Sequence, residues 1–412
     1  MEPPLGNLYR VLDLADEKGM FCGQILAGLG ADVIKVEKPG GDRTRNIGPF
    51  YHNIPHPEKS LYWFFHNLNK RGITLELENK DGLRLFKKLA ARTDFIIESF
   101  HPGYLGSLGL GYQELSQINP KLIMISITPF GQTGPYRDYE ADDLVSQAMG
   151  GYMTFMGDED RPPIRITVPQ SYLHASGCAA VAALIALYYR HSSGEGQHID
   201  VSLEDVVIRA LFTEPWEWEL NHFLVTRAGP RVRRQSMTSR QVWDCKDGQV
   251  GYRIILGPYS KSLRGVAELM KEEGIPLGPF ANMDWNNLDY SKLDQGIMNE
   301  WEKTVSAYFM KHTKAELFEK SKEKRLYLAP SYDARELTEF EQLKARGVWV
   351  GIEHEELGET ITYFGPPVKL SLTPWQMKRR APLIGEHNQE VYQGELGLTP
   401  QELTWLKTGG AI

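Results

Sequence analysis

The stretch that decides the fold is PPIRITVPQSYLHASGCAAVAALIALYYRHSSGEGQHIDVSL, residues 162–203. Its β-branched run Ile164–Val168 predicts a short strand, and the alanine-rich segment from about Ala175 to Arg190 predicts a helix. After a glycine-rich break, His198–Leu203 predicts a second strand. A strand, a helix and a further strand in this order are typical of a parallel α/β sheet.

The turn before the predicted helix, residues 170–174, is where a strand-turn-helix enzyme places a nucleophile close to the N–H groups of the helix. This turn supplies Gln170, Ser171, Tyr172 and His174 but no carboxylate. His174 is a candidate base, although a lone histidine in the first turn of a helix is more often structural. The pattern thus predicts a site that lacks an acidic side chain at its centre.

The first half of the chain repeats the alternation of strand and helix. RVLDLA (Arg10–Ala15) and ADVIKVE (Ala31–Glu37) predict buried strands, and FCGQILAGLG (Phe21–Gly30) between them predicts a helix with a glycine stop. GITLELE, DFIIESF and LIMISITPF continue the strand pattern further along the chain. Helices of this length between strands predict an α/β fold with a parallel, doubly wound sheet.

The composition changes after about Trp216, where a basic, loop-like segment begins. We therefore predict that the α/β part spans residues 1–225 and that a smaller α+β domain spans residues 226–330. Residues 331–412 again have the pattern of a strand followed by helices. A chain of this length is consistent with two domains.

The chain has 412 residues, a formal net charge of -7 and 42% hydrophobic residues. This acidic balance argues against nucleic-acid binding, which needs a basic face. The cysteines are too far apart in the sequence for a metal or disulfide pattern, which fits a reducing compartment. The N-terminus lacks an apolar signal segment, and no stretch approaches the ~20 apolar residues of a membrane span. We therefore expect a cytoplasmic protein that is not inserted in a membrane.

Two basic clusters lie next to predicted strands. Lys38, Arg43 and Arg45 flank a Gly-Gly turn after the second strand, and Lys70-Arg71 stands just before another strand. Each residue alone is more simply a solvated charge. Together, at the strand ends where open parallel sheets bind ligands, they favour a phosphorylated ligand. The scattered histidines predict no metal site.

Two acids, Asp142 and Asp143, stand at the predicted start of a helix in YEADDLVSQAMGG. Helix capping and the helix dipole explain one of them. Because adjacent side chains point in different directions, the other acid is a candidate for a functional site.

With these motifs, the chain resembles the class III CoA-transferases, the CaiB/BaiF family. The resemblance runs from Val11 to the C-terminus and is carried by GADVIKVEKPGGDRTR, NKRGITLEL, DLVSQAMGG, the PPIRITVP and GEGQHIDVSL ends of the 162–203 block, and APLIGEH. It implies a Rossmann-like large domain, built from residues 1–225 and 331–412, around the smaller α+β domain, with two chains interlocked as a dimer. It also implies that CoA thioesters are substrates, that no cofactor is permanently bound, and that an aspartate is the nucleophile.

The resemblance assigns individual positions. The positions that match the family's CoA contacts are Lys38, Asn69, Lys70, Arg71, Ser99 and Phe100. Asp143 matches an acidic position near the reacting thioester. However, the aspartate of the family's P-x-x-D-L-x-A pattern corresponds to Tyr172 in PQSYLHA, and a phenol with a pKa of about 10 cannot form a carboxylic anhydride. Ser107 replaces an arginine near the CoA phosphates, and Asp142 replaces the histidine of the racemase branch.

The resemblance therefore implies a non-catalytic subunit of a heteromeric CoA-transferase, paired with an aspartate-bearing paralogous chain. The branch of the family that acts on benzylsuccinate has such a subunit; there CoA moves from succinyl-CoA to (R)-benzylsuccinate in anaerobic toluene degradation. Two alternatives stay open. One is a stand-alone acyl-CoA lyase, isomerase or dehydratase in which Tyr172 or His174 moves a proton with help from Asp143. The other is a CoA-binding protein without chemistry.

Overall fold

The computed structural model describes residues 3–6, 8–211, 213–234, 237–254, 260–285 and 293–412. Its strands are β1 Arg10–Asp13, β2 Asp32–Glu37, β3 Arg71–Thr74, β4 Phe95–Glu98, β5 Ile123–Thr128, β6 His198–Ser202, β7 Arg231–Arg234, β8 Met237–Arg240, β9 Val242–Cys245, β10 Gly248–Tyr252, β11 Leu328–Pro330, β12 Trp349–His354 and β13 Glu359–Phe364. Its α-helices are α1 Met20–Gly28, α2 Leu61–His66, α3 Lys80–Ala90, α4 Tyr104–Ser107, α5 Tyr112–Ile118, α6 Asp143–Met149, α7 Tyr152–Phe155, α8 Gln170–Ser193, α9 Leu203–Leu211, α10 Glu214–Asn221, α11 Lys261–Glu272, α12 Gln295–Phe309, α13 Lys314–Lys324, α14 Ala334–Glu339, α15 Glu341–Ala345 and α16 Pro400–Thr408.

A six-stranded sheet with the order β3-β2-β1-β4-β5-β6 organises most of the chain's first half. Every neighbouring pair in it is parallel, which confirms the predicted α/β class. Parallel strands joined through helices are covered on both faces, and this explains why β4 and β5 are buried along their whole length. The chain moves outward from β1 to β3 and then returns to β4. The strand order therefore reverses between β1 and β4, and ligands of such sheets bind beside this point.

Helices cover both faces of the sheet. On one face α8 packs against α1 and β5, and its alanines Ala175, Ala179 and Ala183 are fully buried. Alanine side chains are short, so the backbone of α8 approaches its neighbours closely. On the opposite face, leucines of α3, α5 and α16 share a second core, which includes Leu85 and Leu406.

The chain divides into two compact units. The larger unit comprises residues 1–150, 167–210 and 341–412, and the smaller unit comprises residues 151–166 and 211–340. The smaller unit is thus longer than the range 226–330 taken from composition. It also includes residues 151–166, which are separated in sequence from the rest of the unit. A change in local composition does not reveal such a segment.

The smaller unit has its own core. A three-stranded antiparallel sheet with the order β11-β10-β9 packs against α12 and α13. Trp243, Tyr252 and Phe309 meet edge to face in its centre, at centroid distances of 5.2–5.8 Å. Such contacts add to the burial of three large rings, so this unit is stabilised independently of the parallel sheet.

The structure corrects two expectations for the 162–203 block. The predicted strand at residues 164–168 is absent, because these residues have no regular secondary structure before Pro169. The helix begins at Gln170 and not near Ala175, so residues 170–174 form its first turn and not a separate loop. Strand β6 is present and pairs with β5, as predicted.

The expectation that no segment has the length and composition of a membrane span was wrong. Among the described residues, the 24-residue helix α8 meets both criteria, with a mean hydropathy of 1.4 over its most apolar window. The same helix packs on α1, β5 and β6 in the core of the larger unit. Its alanine face belongs to this core, whereas Val181, Ile185 and Tyr188 on its other side are exposed.

Candidate active site

A cavity of about 810 Å³ lies at the carboxyl ends of the central strands in the larger unit. Leu14 follows β1, Lys38 follows β2, Ser99 follows β4 and Pro129 follows β5, and all four line the cavity. Tyr172, from the first turn of α8, completes one wall. The cavity therefore occupies the place where the strand order reverses, which is the ligand site of open α/β sheets.

Tyr172 lies at the centre of the predicted site and is 9% exposed. Its hydroxyl oxygen accepts a hydrogen bond of 3.0 Å from the backbone N–H of Asp143. Burial, together with the negative charge of Glu17, raises the pKa of the phenol above its ordinary value. Tyr172 is therefore neutral at physiological pH and its oxygen holds the start of α6.

Asp143 is buried and does not line the cavity. Its Oδ1 accepts hydrogen bonds from the backbone N–H of Ser171 at 3.0 Å and from Ser171 Oγ at 2.7 Å. Its Oδ2 accepts a hydrogen bond from Gln147 Nε2 at 2.6 Å. The carboxylate thus binds an N–H group at the positive end of α8, where the helix dipole stabilises negative charge. Asp142, the other acid of the pair, caps α6 and lines the cavity.

The six predicted CoA contacts divide into two groups. Lys38, Ser99 and Phe100 line the cavity. Lys38 is exposed, and Ser99 Oγ donates to Asp16 Oδ1, of the neighbouring loop, at 2.7 Å. The structure thus brings these three residues together with Tyr172.

Asn69, Lys70 and Arg71 do not line the cavity. Asn69 has a φ of 64° and binds the backbone of residues 376–379. Lys70 is fully buried and donates to Asp13 Oδ2 at 2.7 Å. Arg71 binds the carboxylates of Asp32, Glu390 and Glu395. These three side chains hold segments of the larger unit together, which corrects the picture of a second phosphate-binding cluster at the cavity.

His174 and Ser107 also lie away from the cavity lining. His174 is half-buried on α8, one turn from Pro169. Ser107 ends α4 and its hydroxyl donates to the carbonyl of Tyr104 at 2.7 Å. Among the described residues, no group of three histidine, cysteine or acidic side chains has the arrangement of a metal site.

Sequence reasoning missed the wall formed by the loop after β1. Asp16, Glu17 and Lys18 line the cavity, and Arg43 bridges Asp16 at 2.8 Å and Glu17 at 2.7 Å. Burial and the neighbouring charge of Asp16 raise the pKa of Glu17. The signal was present, because this loop follows the strand at which the sheet order reverses.

Glu98 is a second unpredicted titratable group beside the cavity. It ends β4, and its Oε2 accepts a hydrogen bond of 2.8 Å from the backbone N–H of Phe100, which lines the cavity. Burial raises the pKa of Glu98 to about 7, although a hydrogen bond from Ser126 opposes the shift. Glu98 therefore changes its charge near physiological pH.

Comparison with known proteins identifies the family. Residues 9–388 match the model of CoA-transferase family III. The chain belongs to this family. It is therefore a class III CoA-transferase, and the substrates of this class are CoA thioesters. The extent of the match confirms the resemblance that the sequence motifs carried.

Individual relatives extend over nearly the whole chain. This chain is 34% identical over 405 residues to succinyl-CoA:(R)-benzylsuccinate CoA-transferase subunit BbsE of Thauera aromatica; the alignment covers 98% of this chain and 97% of the relative. It is 31% identical over 415 residues to the succinyl-CoA–L-malate CoA-transferase beta subunit of Chloroflexus aurantiacus, covering 99% and 98%. The solved structure of a CAIB/BAIF family protein from Brucella suis superposes with a TM-score of 0.80 at 28% identity, covering 96% of this chain and 100% of that chain.

Proposed function

We propose that this chain is the non-catalytic subunit of a heteromeric class III CoA-transferase. The observation that carries the proposal is the hydrogen bond between Tyr172 and the backbone N–H of Asp143. A neutral, buried phenol stands where the family's pattern has an aspartate, and its oxygen accepts the hydrogen bond that holds the start of α6. The adjacent carboxylate of Asp143 is bound by Ser171 and Gln147 and does not replace the missing one.

The chemistry explains why a phenol is no substitute. In the proposed reaction a carboxylate attacks the thioester carbonyl, the C–S bond breaks, and CoA leaves as a thiolate while the two acyl groups form a mixed anhydride. The thiolate then attacks the carbonyl of the enzyme's carboxyl group and releases the donor acid. The acceptor acid takes CoA by the reverse sequence. A tyrosyl ester is less activated than an anhydride, so the partner chain must supply the aspartate.

The names of the relatives support a partner and a pair of substrates for this proposal. Both BbsE and the malate transferase beta subunit are named as subunits, which supports a heteromer with an aspartate-bearing paralogue. The name of the first supports succinyl-CoA as donor and (R)-benzylsuccinate as acceptor. We place CoA thioesters in the cavity of this chain as well, because Lys38, Ser99 and Phe100 line it.

Reconstitution tests the proposal. The chain is co-expressed with an aspartate-bearing paralogue from the same genome, and transfer from succinyl-CoA to (R)-benzylsuccinate is measured. We expect no activity from this chain alone and activity from the complex. Replacing the partner's aspartate should abolish activity, whereas a complex with Tyr172→Phe in this chain, although less stable, should still transfer CoA.

Three outcomes would contradict the proposal in different ways. A homodimer of this chain with full transferase activity would show that it carries its own nucleophile. Loss or migration of a proton or of water in an acyl-CoA treated with the chain alone would instead favour the lyase, isomerase or dehydratase. Binding of CoA with no complex formed would favour a CoA-binding protein without chemistry.

A further inference from the structure

A buried cluster of charged side chains lies beside the cavity, and the proposed function does not use it. Asp13 on β1, Lys35 on β2 and Lys70 before β3 are all 0% exposed. Lys70 Nζ lies 2.7 Å from Asp13 Oδ2, and Lys35 Nζ lies 3.9 Å from Asp13 Oδ1. Two cations thus share the Asp13 carboxylate in the interior, and Lys35 Nζ also lies 3.9 Å from Oδ2 of the partly buried Asp42. Such an arrangement is unfavourable unless its hydrogen bonds are well satisfied.

Hydrogen bonds of this cluster bind the backbone on both sides of the loop of residues 14–19 between β1 and α1, and one further bond runs from Lys70 Nζ to Asn67 Oδ1. Asp13 Oδ1 accepts a hydrogen bond of 3.0 Å from the backbone N–H of Ala15, and Lys35 Nζ donates to the carbonyl of Ala15. Lys70 Nζ donates to the carbonyl of Met20 at 2.8 Å, where α1 begins. The cluster therefore holds both the start of the loop and its exit.

The same loop forms the cavity wall. Its residues Asp16, Glu17 and Lys18 line the cavity, and Ser99 Oγ accepts a hydrogen bond of 2.9 Å from the backbone N–H of Asp16. The position of these three side chains depends on the backbone that carries them. The buried cluster holds that backbone through its hydrogen bonds to Ala15 and Met20.

Gly23 shows how tightly the cluster is packed. It lies on α1, and a Cβ atom there would be 2.3 Å from Asp13 Oδ2 and 3.2 Å from Lys70 Nζ. A glycine inside a helix lowers its stability, so the position needs another reason. The close approach of α1 to the charged pair supplies one.

We propose that the Asp13–Lys35–Lys70 cluster positions the cavity wall, and that Lys70 acts on CoA-thioester binding through the 14–19 loop without touching the ligand. The part that concerns CoA rests on the proposed function. The part that concerns the loop does not, since it follows from the hydrogen bonds alone.

The cluster gives the loop a dependence on pH. Protonated Lys70 has three N–H groups for three acceptors: Asp13 Oδ2, the carbonyl of Met20 and Asn67 Oδ1. Burial lowers the pKa of Lys70 to about 8, with Asp13 opposing the shift and Lys35 adding to it. Cys22 and His66 are the other titratable groups that face it. A neutral amine has only two N–H groups, so one acceptor loses its donor above this pH.

Amide hydrogen exchange of the full chain tests the proposal. Protection of residues 14–19, corrected for intrinsic rates, is compared at pH 7 and pH 9. We expect protection to fall about tenfold in the wild type at pH 9, as for the loss of one hydrogen bond. Lys70→Met should reduce protection at pH 7 and remove the pH dependence. Gly23→Ala should reduce protection without changing any charge.

Matched variants separate positioning from a general loss of stability. Arg190→Met removes another buried cation, which binds Asp94 and the carbonyl of Lys121 and not the loop. Gly177→Ala adds a Cβ on α8 that has nothing within 4 Å. Neither should change protection of residues 14–19. Unchanged loop protection in Gly23→Ala and in the wild type at pH 9 would overturn the proposal, even if Lys70→Met fails to fold.

Calorimetric titration with CoA tests the second part. We expect Gly23→Ala to weaken CoA binding about three- to tenfold, while Gly177→Ala binds as the wild type does. If Gly23→Ala lowers the protection of residues 14–19 but leaves the affinity for CoA unchanged, the link between the loop and CoA is overturned. Failure of the wild type to bind CoA would overturn that link together with the placement of CoA in this chain. The exchange experiment would still test whether the cluster positions the loop.

Discussion

The hydroxyl oxygen of Tyr172 accepts a hydrogen bond from the backbone N–H of Asp143, over 3.0 Å. This bond joins the first turn of α8 to the first turn of α6. In return, the Asp143 carboxylate accepts from the backbone N–H of Ser171 in α8. The two helix starts therefore cap each other, and the tyrosine at the position of the family's nucleophile is part of this capping.

Tyr172→Phe should lower the free energy of unfolding by about 1–3 kcal/mol, because it removes the acceptor of a buried hydrogen bond. The ring still fills its place in the core, so no cavity is created. Urea unfolding of the purified chain measures the change. Tyr188→Phe, at an 80% exposed position of the same helix, serves as control and should change stability by less than about 0.5 kcal/mol. Equal effects of the two substitutions would contradict the structural role of Tyr172.

Ser171→Ala should also destabilise the chain, by about 1.5–3 kcal/mol, because Ser171 Oγ donates to the charged Oδ1 of Asp143 at 2.7 Å. The backbone N–H of Ser171 still donates to the same oxygen. Ser192→Ala on the exposed end of α8 removes a comparable hydroxyl, which donates only to the carbonyl of Tyr189. If both alanine variants unfold at the same urea concentration, the Asp143 carboxylate does not depend on Ser171.

The parallel sheet was predictable from sequence, because alternating apolar runs and helices leave few other arrangements. The start of α8 was not. Ser171 and Tyr172 have no strong helix preference. The acceptor that binds the backbone N–H of Ser171 is Asp143, 28 residues away. A contact of that kind is fixed by tertiary packing and has no local signal in the sequence.

The sequence predicted some residues of the site but not others, again because tertiary contacts decide where a side chain lies. Lys38 and Lys70 are both basic residues beside strands, yet Lys38 is exposed at the cavity and Lys70 is fully buried. Lys38 follows β2 at the carboxyl end of the sheet. Lys70 precedes β3 and its side chain turns inward to Asp13. The sequence places each lysine next to a strand, but it does not show that Asp13 binds the Lys70 side chain in the interior.

Asp13→Asn should be the most damaging of the substitutions considered, because it leaves Lys70 buried without its carboxylate partner and leaves Lys35 only Asp42, at 3.9 Å. Removing one partner of a buried ion pair costs about 3–5 kcal/mol. Asp138→Asn breaks an exposed pair with Arg137 and should cost less than about 1 kcal/mol. Thermal unfolding followed by circular dichroism compares the two. Similar midpoints would show that the buried cluster is not a net contributor to the fold.

Glu98→Gln should make the stability of the chain less dependent on pH between about 4.5 and 7. The pKa of Glu98 is raised to about 7 in the fold from an ordinary value of 4.5, chiefly by burial. In this interval the folded state binds more protons than the unfolded state, so the stability that Glu98 contributes in its protonated form is present below pH 4.5 and is lost as pH rises through 7. The difference amounts to about 3 kcal/mol.

The glutamine variant stays neutral throughout and keeps an oxygen that can accept from the N–H of Phe100. Its free energy of unfolding relative to the wild type should therefore rise by about 3 kcal/mol from pH 4.5 to pH 8. Urea titrations at several pH values measure this difference. Glu114→Gln on the exposed face of α5 should give a curve parallel to the wild type. A Glu98→Gln curve that is also parallel would mean that Glu98 ionises in the fold as it does in the unfolded chain, and that its charge near the cavity is constant at physiological pH.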